Sequence, residues 1–99
     1  MTTVITAKKR GATYLIRARH HADGSPEVCA AVSGLLYALG GFLNTYDGEE
    51  VVVDECRIRP ADVTFRFSGG EAAEAAFRMA HIGLLQIAAS HPDYVKFGE

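Results

Sequence analysis

Along the opening of the chain, hydrophobic and polar positions alternate with a period of two. Thr3 to Lys9 carries β-branched residues in modest alternation, Lys9-Arg10-Gly11-Ala12 supplies a glycine turn, and Thr13 to Arg19 sets Tyr14, Ile16 and Ala18 against Leu15, Arg17 and Arg19. This pattern predicts a β-hairpin with Tyr14, Ile16 and Ala18 facing a core. The period then changes. Ser25 is a good N-cap, Pro26 suits the first helical position and Glu27 is an acid favoured by the positive helix end, so a helix is expected from Pro26 to about Leu43. Its apolar residues, Val32, Leu35, Leu36, Leu39, Phe42 and Leu43, spread over more than one face, which calls for cover on two sides. Gly34, Ala38 and Gly41 form a stripe of small residues that admits another helix, either a partner subunit's or the second helix of this chain.

Asn44-Thr45-Tyr46-Asp47-Gly48 carries turn residues, after which alternation returns. Val51 to Arg59 reads as a strand with Val52, Asp54, Cys56 and Ile58 on one side, Cys56 facing the core. Arg59-Pro60-Ala61-Asp62 is a turn, and Val63, Phe65 and Phe67 alternate with Thr64, Arg66 and Ser68 to complete a second hairpin. Ser68-Gly69-Gly70-Glu71 has capping-box spacing, and a second helix runs to about Ser90 on a stripe of Ala73, Ala76, Phe77, Ala80, Leu84, Ile87 and Ala88. Pro92 stops it. The tail from Asp93 to Glu99 holds Tyr94, Val95 and Phe97, which can pair or pack on an edge. The order is β-β-α-β-β-α: one two-layer α+β domain over residues 1–99, a mostly antiparallel sheet with two helices.

Composition narrows the function classes. Hydrophobic residues make up 48% and charged residues 22% of the chain, as in an ordinary soluble protein. Ten basic and twelve acidic residues leave a formal net charge of -2, which implies no broad attraction to nucleic acid or to an anionic membrane. The first residues show no charged region followed by an apolar signal core, and no stretch approaches membrane-spanning length, so a cytoplasmic location is expected. Cys29 and Cys56 are too few for a disulfide scaffold and are expected to be reduced.

Cys29 carries the candidate chemistry. It falls in the fourth helical position, where aligned backbone dipoles and unpaired N–H groups favour thiolate over thiol. His21, at the mouth of the preceding strand, is near enough in the chain to serve as general base and acid. Ser33 lies one turn further in, and Asp23 and Glu27 are the acids closest to the pair. The competing use of Cys29 is as a small buried hydrophobe. A zinc site from His20, His21, Asp23 and Cys29 fails because adjacent histidines point apart and no second ligand pair completes a tetrahedron. The Gly69-Gly70 pair lacks the longer pattern of a phosphate loop, so no cofactor is called for.

The run Val-Cys-Ala-Ala-Val-Ser at Val28 to Ser33 follows His21-Ala22. Downstream come Gly83-Leu84-Leu85-Gln86-Ile87-Ala88 and His91-Pro92-Asp93-Tyr94-Val95-Lys96. Taken together these motifs resemble the ribosomal-processing cysteine protease (Prp) family over nearly the whole chain. The resemblance implies a small dimeric α+β protease that pairs through its helix layer and removes the N-terminal extension of large-subunit ribosomal protein bL27. By position it puts the nucleophile on Cys29, the catalytic histidine on His21 and the family's helix serine on Ser33. Two departures stand out. The family reads Gly-His-Ala where this chain has His20-His21-Ala22, with a longer loop to the cysteine, and it has an aspartate where Pro26 stands, for which Asp23 or Glu27 would substitute. A catalytically silent, dimeric interaction module is the alternative that these departures motivate.

Overall fold

A computed structural model describes residues 2–20, 25–46, 48 and 50–98. The first alternating stretch forms β1 (Thr3–Arg10) and β2 (Thr13–Arg19), followed by α1 (Pro26–Thr45), β3 (Val51–Arg59), β4 (Asp62–Gly69), α2 (Glu71–Ser90) and β5 (Val95–Phe97). The strands make one sheet in the order β3-β4-β2-β1-β5, antiparallel except for the parallel β1–β5 pair at one edge. Both hairpins and the β-β-α-β-β-α order agree with the pattern of the sequence. The tail contributes the edge strand.

Directly opposed residues of neighbouring strands share a face, so the register divides the sheet into two sides. Tyr14, Ile16 and Ala18 of β2 oppose Phe67, Phe65 and Val63 of β4, and this side carries the fully buried Ile5, Ile16, Phe65 and Phe67. Both helices cover it. α1 contributes Val28, Val32, Leu36, Leu39 and Leu43, and α2 contributes Ala73, Phe77, Ala80 and Leu84. Each large side chain buried this way is worth about 1.5–3 kcal/mol relative to exposure.

Three details depart from the expected pattern. First, the β3–β4 register shifts between Val53 and Glu55, so the side shared with Cys56 and Ile58 is continued by Val53, opposite Phe67, rather than by Val52 and Asp54. A bulge of one residue inverts the alternation on either side of it, which period-two reading cannot anticipate. Second, no capping box opens α2: Ser68 is paired within the sheet, and the N-cap is Gly70, with no side-chain cap bond. Gly69 (φ +151) turns the chain there, and a Cβ on it would overlap the carbonyl oxygen of Glu50. Only glycine fits that close backbone approach. Third, α1 is long and apolar enough to cross a membrane by length and composition, contrary to the reading that no stretch comes near this. Its buried stripe is spent against the sheet.

The two helices meet where a Cβ on Gly83 would press on the Leu35 side chain at 2.8 Å. α1 comes close to the sheet at Gly40, whose Cβ would lie 3.3 Å from Ile58 and Phe65. Among the described residues nothing comes within 4 Å of a Cβ placed on Gly34 or Gly41. The small-residue stripe is therefore not filled by α2 at these two positions.

Among the described residues, no helix lies over the other side of the sheet. Cross-strand rows place Arg19 between Val4 and Asp62, with Lys96 beyond Val4 and Arg59 beyond Asp62. The next row runs Thr6, Arg17, Thr64, Arg57, and the one after it Lys8, Leu15, Arg66, Glu55. Arg10, Thr13, Ser68 and Val52 form the last.

Candidate active site

One end of the sheet is built differently from the other. β2 is followed by His20, whose backbone is left-handed (φ 73), and the β3–β4 connection passes through Ala61, also left-handed (φ 61). Pro60 presets the turn and Ala61 takes the positive-φ position that glycine usually fills in a type II turn. The two are tied together: the His20 N–H donates to the Ala61 carbonyl at 2.8 Å. The His20 carbonyl in turn accepts from the hydroxyl of Thr3 at 2.9 Å. Thr3 is buried, and its own N–H donates to the Tyr94 carbonyl at 2.8 Å. Left-handed backbone at a residue with a side chain costs roughly 1–3 kcal/mol and persists only where the surroundings enforce it. Here Thr3 and Ala61 hold His20 from both sides.

Above this end lies a cleft of about 370 Å³. One wall is the face of α1 carrying Cys29, Ser33, Leu36 and Tyr37, which helical spacing aligns. The opposite wall is the β3–β4 turn from Ile58 to Val63, and His20, Thr3 and Ala18 complete the lining. Cys29 is half-buried and free, so its sulfur belongs to the wall of an open cleft rather than to the sealed interior. Tyr37 and Ile58 are 63% and 46% exposed on either side, giving the cleft apolar margins. Arg59 and Asp62 stand at its polar edge.

The expected N-cap is present: Ser25 Oγ accepts from the Val28 N–H at 3.3 Å, and the Cys29 N–H donates to the Ser25 carbonyl at 3.1 Å. These bonds occupy the Val28 and Cys29 amides, and Pro26 has none, which leaves the Glu27 N–H in the first turn.

Of the expected site residues, the structure brings Cys29 and Ser33 together in the cleft. Glu27 is not with them. It lines a separate groove between the helices with Gly83, Gln86 and His91, because two residues along a helix turn the side chain to the other flank. His21 and Asp23 lie outside the described residues. Arg19 is half-buried on the open side of the sheet, where Asp62 is its cross-strand neighbour. His81 packs its ring at 5.3 Å from Phe77 and 5.7 Å from Phe97, the structural role its helix-interior position suggests. Sequence reasoning missed Thr3, the Pro60-Ala61 turn as a wall of the site, and His20 as a cleft residue. Pro60 was the one local signal. Thr3 and His20 meet only through the β1–β2 register.

A sequence model of the family described as cysteine protease Prp matches residues 1–96. The chain belongs to that family. It is a cysteine protease, and its α+β fold is that of Prp structures. The S. aureus ribosomal processing protease Prp, solved with a covalently linked product peptide, superposes with a TM-score of 0.74 at 16% identity, covering 98% of this chain and 96% of that one. The same protease with a substrate peptide gives 0.69 at 16% identity, covering 98% and 96%. SMU.848 from Streptococcus mutans gives 0.70 at 21% identity, covering 97% and 91%. No curated protein matches the chain significantly.

Proposed function

We propose that this Prp-family protease hydrolyses a peptide bond near the N-terminus of a ribosomal protein, removing the N-terminal extension of bL27, with Cys29 as nucleophile and His21 as general base and acid. The observation that carries this reading is the place of Cys29: half-buried, in the first helical turns, on the wall of an open cleft beneath a pinned strand end. The imidazole takes the Cys29 thiol proton as the sulfur adds to the scissile carbonyl carbon, and the C–N bond breaks as the imidazolium protonates the departing amine. Water, giving a proton to the imidazole, then cleaves the thioester, and the sulfur recovers its proton. An extended peptide fits the cleft, with Tyr37 and Ile58 offering apolar contact to side chains beside the cut. The S. aureus relative is a ribosomal processing protease seen with both a product and a substrate peptide, which supports the substrate class. The work belongs to the cytoplasm, where ribosomes are made.

His20 supports a second assignment of the base, because among the described residues it is the histidine that lines the cleft with Cys29. Asp23 and Ser33 are proposed to support the dyad. The helix layer is proposed to pair two copies: Leu35, Ala38, Phe42 and Met79 line an apolar groove, and Met79 is 72% exposed.

Incubating the purified protein with the extended bL27 of its own organism tests the reading. Cleavage by the parent and none by Cys29→Ala is expected. His21→Ala should abolish turnover while His20→Ala retains it, and the reverse moves the base to His20. A silent interaction module would leave the substrate intact in every arm.

A further inference from the structure

The net charge of -2 conceals a strong separation of charge. Eight of the ten Lys and Arg residues fall on the uncovered side of the sheet, in the rows described above. Two carboxylates, Glu55 and Asp62, share those paired rows, and their ion pairs with Arg17, Arg57 and Arg66 are loose, at 3.4 to 3.6 Å. The side chains of Arg17, Arg57 and Arg66 remain 38%, 33% and 50% exposed, so guanidinium on this side is open to a ligand. Glu27, Glu71 and Glu74 sit on the helices instead.

We infer that the open side of the sheet binds the phosphate backbone of duplex RNA. Cations that share a row are separated by at least one intervening strand, roughly 9.6 Å or more across the sheet, and alternate residues set them roughly 6.6 Å apart along β1, β2 and β3. The result is a flat grid of charge, most of it arginine, whose planar fork matches phosphate oxygens. The paired rows hold no aromatic side chain on this side, and their larger apolar residues are Val4, Leu15 and Val52. That composition offers no stacking platform for unpaired bases and no wedge to enter a bilayer. A second copy of this chain would bring like charges together. Duplex RNA is read through its backbone and 2′-hydroxyls, and the exposed Thr13 and half-buried Ser68 supply hydroxyls beside the cations. The inference does not depend on the protease reading.

Fluorescence anisotropy of a labelled RNA duplex titrated with Cys29→Ala protein tests this without turnover. Binding is expected that weakens steeply with salt, since each phosphate neutralised adds about 0.9 to the log–log slope for a B-form duplex. Arg66→Glu should weaken it by about tenfold or more, as expected for one lost ionic contact replaced by repulsion. Arg78→Glu, the same change of charge on α2, should leave it unchanged. Thermal melts of both variants check that they are folded. The inference is overturned by absence of binding at low salt, by equal loss in the two variants, or by tighter association with vesicles of anionic lipid, a poly-glutamate peptide or DNA of the same sequence.

Discussion

The two ends of the sheet solve the same problem in different ways. Each must reverse the chain through a left-handed backbone. At the end remote from Cys29, glycines do it: Gly11 (φ 60) closes the β1–β2 hairpin and Gly69 (φ 151) turns β4 into α2. At the Cys29 end, His20 and Ala61 do it with side chains in place. Glycine makes such a turn cheaply, so the far end is built for stability. The near end holds a less favourable backbone through the Thr3 and Ala61 bonds, and His20 and Ala61 line the cleft. Local strain of this kind marks where a fold serves chemistry rather than stability.

The comparison can be broken most completely at the chemistry. Cys29→Ala should remove cleavage and leave the melting temperature close to that of the parent, as measured by substrate digestion beside circular dichroism. The next largest effect belongs to the far end. Gly69→Ala places a methyl group on the Glu50 carbonyl at a positive φ and should cost about 2–3 kcal/mol of stability in denaturant titration. Thr3→Val keeps the shape but removes the hydroxyl on the His20 carbonyl. It should cost about 1–2 kcal/mol and lower kcat/KM by more than its stability loss explains. Ala61→Gly relieves strain at the near end and should stabilise by about 0.5 kcal/mol, the gain in φ freedom offset in part by unfolded-state entropy. If it leaves cleavage unchanged, the side chain at Ala61 has no part in shaping the cleft.

The smallest effect lies away from both ends. The Lys9 ammonium bonds the Glu74 carboxylate at 2.7 Å, tying β1 to α2. That hydrogen bond lowers the Glu74 pKa and raises that of Lys9. A lowered carboxylate contributes stability that is present at neutral pH and fades as pH falls through its folded value. Both groups are exposed, so Glu74→Gln should shift the melt slightly at neutral pH and not at all once the carboxylate is protonated.

Much of the fold was legible because it rests on short-range patterning. Tyr14, Ile16 and Ala18, then Phe65 and Phe67, announced their buried side by alternation alone, and Ser25-Pro26 announced the start of α1 and with it the place of Cys29. The misreadings share a cause. Val53 took the side assigned to Val52, and Ser68 stayed in the sheet, because a bulge and a glycine turn depend on what the partner strand does. Glu27 was grouped with Cys29 by closeness in sequence, yet helical rotation carries it to the other flank.

Charge shows the division most plainly. A count of residues implied no attraction to nucleic acid, and that count was correct for the chain as a whole. Period-two alternation decides that Arg17, Arg19, Arg57 and Arg66 point away from the apolar side. Only the pairing of three strands, β2, β4 and β3, brings them into adjacent rows, and only the placement of both helices on one side leaves those rows uncovered. The sequence by itself therefore determined which residues are inside and where the nucleophile stands on its helix, since local propensity and burial act over a few residues. The cleft between α1 and the Pro60-Ala61 turn, the pinning of His20 by Thr3 and the basic surface needed the tertiary structure, since each joins residues distant in the chain through a register that no local pattern encodes.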